Sequence, residues 1–171
     1  MPNTDAPSAY STEQIWDFLH EVADPEIPVL NIVEMGIARG VDIGEDGSIS
    51  VRITPTYSGC PAMTYIEEQV TATLKDKGIE NFDVVKDFSQ AWTTDWFTDG
   101  ARRKLKEYGI APPDKVDVDD LSFIKAKAKI IPCPFCDSMD TRLQSEFGST
   151  ACKSQYYCDG CHQPFEHFKC I

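Results

Sequence analysis

Ile131-Pro132-Cys133-Pro134-Phe135-Cys136 and Tyr157-Cys158-Asp159-Gly160-Cys161-His162 repeat one local pattern: a strand end, a Cys-x-x-Cys pair and a turn. Twenty-one residues separate the two pairs. A Cys-x-x-Cys on a tight turn places two thiolates along one edge of a tetrahedron, and two such knuckles facing each other fill all four corners. Cys133, Cys136, Cys158 and Cys161 are therefore expected to hold zinc. With every corner taken by protein, no position remains for water or substrate, so the metal is structural. A module of about 40 residues is too small to fold on its core alone, and the metal supplies much of its folding free energy. Mononuclear iron and iron–sulfur clusters also use four cysteines. A redox dithiol needs only one such pair. His162 and His167 lie nearby and read as surface or supporting residues. Between the knuckles, residues 141–147 and 154–157 can pair as strands, with 164–169 as a third. The fold decided here is a C-terminal four-cysteine zinc ribbon over residues 131–171.

Working outward, the chain has 171 residues, 42% of them hydrophobic and 26% charged, enough for one ordinary domain plus this module. No apolar run approaches the roughly 20 residues of a membrane span. The first residues lack the basic and apolar regions of a secretory signal. Seven cysteines, six of them after residue 132 and without an export signal, fit a reducing cytoplasm and metal ligation rather than disulfides. Cys152 and Cys170 read as small core residues. Sixteen basic against 28 acidic residues give a net charge of −12, which argues against nucleic acid as the main partner.

Upstream of the ribbon the texture is α/β. Residues 1–10 read as a flexible tail. Ser11-Thr12-Glu13-Gln14 is a capping box, followed by Ile15, Phe18, Leu19 and Val22 at helical spacing, with a stop before Pro25. Residues 36–43 and 49–53 alternate across Gly44-Glu45-Asp46-Gly47-Ser48, a hairpin. A helix follows Pro61 with Met63, Ile66, Val70 and Leu74 inward, closing at Gly78. Residues 81–88 form a third strand, with Phe82, Val84 and Phe88 as inward candidates. Thr93 or Thr94 with Asp95 starts a short turn, and Thr98 caps a helix over 102–108 that ends at Gly109. Residues 111–130, acidic and Pro-containing, read as a linker. The order predicts a small mixed-sheet α/β sandwich over 11–110, an α+β chain overall, with helices on one face. Trp92, Trp96, Phe97, Tyr156, Tyr157, Phe165 and Phe168 are expected to be mostly core, with some reaching a partner.

Cys60 ends a loop and precedes Pro61, so it is placed as N-cap of the second helix. Helix N-termini favour thiolate, which binds iron or a cluster or attacks an electrophile; a small buried residue is the other reading. Asp24 and Glu26 flank Pro25 and either ligate a hard metal or accept backbone N–H groups, the second reading suiting Asp24 better. His20 is the one histidine of the first 130 residues, so a Cys–His–Asp site is not expected. Gly36-x-x-x-Gly40 lacks the Lys-Ser/Thr of a phosphate loop.

Four blocks carry a resemblance: Asp24-Pro25-Glu26-Ile27-Pro28, Ile32-Val33-Glu34-Met35-Gly36-Ile37, Thr54 through Gly59-Cys60-Pro61, and Trp92-Thr93-Thr94-Asp95. In this order they resemble the MIP18-type domain of iron–sulfur assembly factors that include SufT. With the four-cysteine ribbon, Phe147-Gly148-Ser149-Thr150-Ala151-Cys152-Lys153 and Pro164 to Lys169, nearly the whole chain resembles the PaaD family of the ring-1,2-phenylacetyl-CoA epoxidase system. The resemblance implies an accessory role in aerobic phenylacetate catabolism, without catalysis by the chain alone. It implies help with iron or iron–sulfur cluster assembly on the oxygenase or reductase component, with transient iron or cluster binding. General iron–sulfur assembly proteins are further partners it suggests. It maps the family cysteine onto Cys60 and the acidic motif onto Asp24 and Glu26. The competing expectation is a structural adaptor that docks on the oxygenase without delivering metal.

Overall fold

The computed structural model describes residues 10–57, 59–114 and 130–169. The expected tail, except for residue 10, most of the expected linker, and Cys170 lie outside them. Two compact units divide between Trp92 and Thr93.

The first unit opens with helix α1 (Thr12–Leu19). Its capping box forms as read: the Ser11 hydroxyl accepts from the Gln14 N–H, and Gln14 Oε1 accepts from the Ser11 N–H. Ile15 and Leu19 are buried. The helix stops five residues before the expected limit. After Leu19 the Glu21 and Val22 N–H groups bond back to i−3 carbonyls, and an Ala23–Asn31 bridge pulls the chain into extended form. Strands β1 (Ala38–Ile43) and β2 (Ile49–Ile53) pair antiparallel through the Gly44–Ser48 turn. Gly47 takes φ 76° there, and Asp46 accepts from the Ser48 N–H at 3.1 Å. Helix α2 (Ala62–Asp76) crosses over to β3 (Phe82–Lys86), which lies parallel to β2. The sheet is therefore mixed, in order β1-β2-β3. Ile49, Val51 and Ile53 on one sheet face are buried, as are Met63, Ile66, Val70 and Leu74 of α2. α1 and α2 pack together and on this sheet. Phe88, an inward candidate by alternation, is exposed, because β3 ends at Lys86.

The second unit begins with a 3₁₀ turn (Thr94–Trp96) and helix α3 (Asp99–Tyr108). Thr98 caps α3 by accepting from the Ala101 N–H, and the helix starts three residues earlier than its spacing predicts. Gly109 ends it at φ 90° and leads directly into β4 (Ile110–Ala111). β4 lies inside the region read partly as linker and pairs parallel with β7 (Gln163–Phe168). With β5 (Thr141–Ser145) and β6 (Lys153–Cys158) it completes a sheet of order β4-β7-β6-β5. That pairing draws α3 into the ribbon unit, so the compact units divide after Trp92 rather than after residue 110. Ala111, Ile131, Cys133, Tyr156, Cys158 and Phe165 form its inner core. Trp92, Phe97, Tyr156, Phe165 and Phe168 are buried, so most of the aromatics weighed as partner contacts are core. Phe97 meets Phe168 at 5.1 Å between ring centroids.

Candidate metal centre

The two knuckles are built alike. Each Cys-x-x-Cys is followed by a residue in the left-handed region, Asp137 at φ 58° and His162 at φ 59°. This reversal turns the chain after the second sulfur. It leaves the His162 side chain exposed. In the first knuckle the Asp137 N–H donates to the Cys133 carbonyl at 3.0 Å, and the Cys133 N–H to the Ser138 carbonyl at 3.0 Å. In the second, the Cys161 N–H points at Cys158 Sγ at 3.4 Å. Sequence reasoning misses these left-handed turns, because neither Asp137 nor His162 is the glycine that usually marks one.

The hairpin β5–β6 and the start of β7 bring the knuckles face to face. All four sulfurs lie within 4.8 Å of one another. Cys133 Sγ is 3.7 Å from Cys161 Sγ, and Cys136 Sγ is 3.6 Å from Cys158 Sγ. These separations are far beyond a disulfide bond of about 2.05 Å. A tetrahedron with metal–sulfur bonds of about 2.3 Å has edges of about 3.8 Å. The donor set thus fits one tetrahedral ion. Cys133 and Cys158 are buried, Cys161 is half-buried and Cys136 is exposed. The thiols do not share protons evenly. The Cys161 N–H pulls the Cys158 thiol down to about 7. Burial, with the neighbouring sulfurs, pushes Cys161 up to about 12. The Ser138 backbone N–H pulls Cys136 down, but burial of the sulfur and its Cys158 and Cys133 neighbours outweigh it and leave that thiol above its ordinary value. Cys158 is thus the thiol readiest to lose its proton, while Cys161 and Cys136 hold theirs more tightly.

A second cluster, without a sequence signature, braces the ribbon. Lys153 sits in β6 with its side chain only 4% exposed, and Nζ meets Glu166 Oε2 at 3.1 Å. Glu166 Oε1 accepts from the Ser149 N–H at 2.6 Å. Burial works to raise the Glu166 carboxyl, but Ser149 and Lys153 hold it below its ordinary value. A Cβ on Gly148 would come 2.6 Å from Glu166 Oε1, so a side chain there would push the Glu166 carboxylate aside. The available signal is the Lys at β6 and the Glu on β7, but charged residues at strand positions read as exposed.

The other site candidates lie elsewhere. Asp24 is 5% exposed, and its Oδ1 accepts from the Glu26 and Ile27 N–H groups, each at 2.8 Å. This is the backbone-accepting reading. Glu26 is half-buried, and Asp24 and Glu26 are not among the residues brought to the four sulfurs. Cys60 is half-buried and lies one residue farther from α2 than expected: Pro61 is N-cap, helical in its own dihedrals, and no side chain caps α2. The Cys60 carbonyl accepts from the Met63 N–H at 3.3 Å, so the residue still opens the first helical turn. Gly59 beside it takes φ 85° with open space where a Cβ would stand. Cys152 is buried, its sulfur 3.1 Å from Thr150 Oγ1, as befits a small core residue. His167 is buried, 3.4 Å from the Ser154 hydroxyl.

Comparison with known proteins divides the chain along the same lines. Residues 12–86 match the family model described as an iron–sulfur cluster assembly protein. Residues 118–169 match the PaaD zinc beta ribbon domain. An Escherichia coli K12 protein provisionally named as a subunit of 1,2-phenylacetyl-CoA epoxidase is 44% identical over 161 residues, 92% of each chain. An Fe–S protein maturation auxiliary factor of Porphyromonas gingivalis is 35% identical over 54% of this chain and 89% of its own length. A solved DUF59 domain from Bacillus anthracis superposes with TM-score 0.52 at 23% identity, covering 55% of this chain and 90% of that one. That likeness confirms the α/β fold of the first unit.

Proposed function

We propose, from the premise that the chain belongs to the PaaD family, which joins an iron–sulfur assembly domain to a zinc β-ribbon, that it is an accessory maturation subunit of the epoxidase. Its zinc is structural. Cys133, Cys136, Cys158 and Cys161 hold the ion, which supplies folding free energy to the ribbon and no reaction centre. Iron or an iron–sulfur cluster is cargo, handled through Cys60 for the oxygenase or reductase component. Asp24 serves this site by holding the Asp24–Ile27 turn, with Glu26 beside it. The chain turns over no substrate of its own.

One observation carries the reading. Four cysteine sulfurs within 4.8 Å of one another can fill a tetrahedron by themselves, which supports a structural ion there and turns the search for an exchangeable ligand to the assembly domain. There Cys60 is half-buried beside an open Gly59 and an uncapped helix start. Among the described residues, nothing lies within 4 Å of where a Gly59 Cβ would stand.

The test is to purify the oxygenase and reductase components from cells with and without this protein, and from cells carrying Cys60→Ser. Iron and acid-labile sulfide are measured in each. Loss of either in the deletion, reproduced by Cys60→Ser while the variant stays folded with its zinc, is the expected result. Fully metallated components in Cys60→Ser cells would rule out delivery through this residue.

A further inference from the structure

We propose that Cys136 is an oxidant-reactive site, at which hydrogen peroxide joins it to Cys158 in a disulfide, expels the zinc and opens the ribbon. This goes beyond the structural role given to the ion above and rests on that ion being present.

The first observation is unequal access. Cys133 and Cys158 are fully buried and belong to the inner core of the second unit, and Cys161 is half-buried against that core. Cys136 is exposed and is not among them. Oxidation of a cysteine follows thiolate character and access. Zinc ligation makes thiolates of all four, so access selects between them, and it selects Cys136. The second observation is a partner within reach. Cys158 Sγ lies 3.6 Å from Cys136 Sγ. A disulfide bond is about 2.05 Å, so the two sulfurs have to close by about 1.6 Å. Cys158 is held at the end of β6, in register with Thr141 on one side and Gln163 on the other. Cys136 lies outside the strands, on the turn that the Asp137 N–H closes onto the Cys133 carbonyl, and is the sulfur able to move.

The chemistry balances. The Cys136 thiolate attacks one peroxide oxygen, the O–O bond breaks and hydroxide leaves, which puts a sulfenic acid on Cys136. The Cys158 thiolate attacks that sulfur, the S–O bond breaks and a second hydroxide leaves. Each hydroxide takes a proton from solvent and becomes water. Two electrons have passed from the two sulfurs to peroxide, and Cys133 and Cys161 remain as thiolates. Two thiolates are half of a tetrahedral set, so the ion departs and takes with it the folding free energy it supplied. The consequence is confined to one unit. The first unit has its own three-stranded sheet, and all four sulfurs lie in the second. Oxidation at Cys136 therefore opens the ribbon and leaves the assembly unit folded.

The test uses the full chain as purified. Elemental analysis comes first, and a chain without stoichiometric zinc refutes the structural-zinc reading and this proposal with it. Hydrogen peroxide is then added, zinc release is followed with a colorimetric chelator, free thiols are blocked, and disulfides are mapped by peptide mass spectrometry. One zinc should appear for each Cys136–Cys158 disulfide. Amides of β5, β6 and β7 should exchange at least tenfold faster, those of α1 and α2 at an unchanged rate, and dithiothreitol with added zinc should reverse the change. Cys136→His keeps a zinc ligand that peroxide does not convert to a disulfide, and should release zinc at least tenfold more slowly. Should that variant fail to hold zinc, the wild-type disulfide map decides by itself. A first disulfide between Cys133 and Cys161, a disulfide between two chains, or zinc release with Cys136 still a free thiol overturns the proposal. Zinc retained in peroxide that has already oxidised Cys60 overturns it too, and leaves the structural reading of the ion intact.

Discussion

Replacing Glu166 with Gln should loosen the ribbon by a calculable amount. The change keeps the size of the side chain and an oxygen for the Ser149 N–H, and removes only the charge facing Lys153. Stripping one partner from a buried ion pair costs about 3–5 kcal/mol, because the remaining charge stays buried. The Lys153 side chain is 4% exposed and that of Glu166 24%. Water reaches the pair from the glutamate side, so roughly half of that cost applies, about 2 kcal/mol. At about 1.4 kcal/mol per factor of ten, amides of β6 and β7 should exchange with solvent about 30-fold faster at pH 7. Adding Lys153→Met should recover most of the loss, since the uncompensated charge is then gone. The pH dependence has a definite sign. The Glu166 carboxyl is held below its ordinary value in the folded chain. Its contribution is complete above the ordinary carboxylate range and is lost as pH falls through the lowered folded value. The difference between wild type and Glu166→Gln should therefore be full at pH 7 and shrink below about pH 4. An exchange rate that changes less than threefold at pH 7 would refute the reasoning and mean that Lys153 finds water without its partner.

Metal affinity should fall steeply with acid. With Cys161 pushed up to about 12 and Cys136 above its ordinary value, at least two protons leave on binding at neutral pH, so a chelator competition should show about a hundredfold weaker zinc per pH unit lowered. Cys158→Ser should abolish stoichiometric zinc by elemental analysis and unfold the ribbon while α1, α2 and their sheet persist in exchange maps. Trp92→Phe removes the indole N–H donated to the buried Met35 carbonyl at 3.0 Å and should cost about 1–3 kcal/mol in urea unfolding. Gly109→Ala places a methyl 2.8 Å from the Phe135 ring at φ 90°, and should lower the melting temperature of the second unit by several degrees, an effect of roughly 1–3 kcal/mol.

What the sequence disclosed followed from periodicity and spacing. The capping box at Ser11, the apolar stripe of α2, the Gly44–Ser48 hairpin and the four converging cysteines are each local or repetitive signals, and each forms as read. What escaped was set by pairing at a distance. Ile110 and Ala111 are too few to announce a strand, yet β7 recruits them and α3 moves with them. Lys153 looks solvent-facing until Glu166 stands across from it on the neighbouring strand. Phe88 carries an apolar side chain to a position where β3 has already ended. Cys60 falls at the helix start to within one residue, since Pro61 takes helical dihedrals and becomes the cap itself.

The parallel pairing of β4 with β7 also sets an order of assembly. Glu166 lies 56 positions after its partner Ile110. As the chain leaves the ribosome, α1, α2 and the sheet they pack on have all been made once Lys86 has emerged. β4 then waits, its edge unpaired, through the synthesis of both knuckles. Cys133 and Cys136 are made before β5, and the last sulfur, on Cys161, arrives just ahead of the strand that covers β4. The assembly unit is thus folded before the ribbon can take up its ion. Starving a cell of zinc should leave nascent chains with a finished first unit and a second unit open to proteases from Thr93 onward.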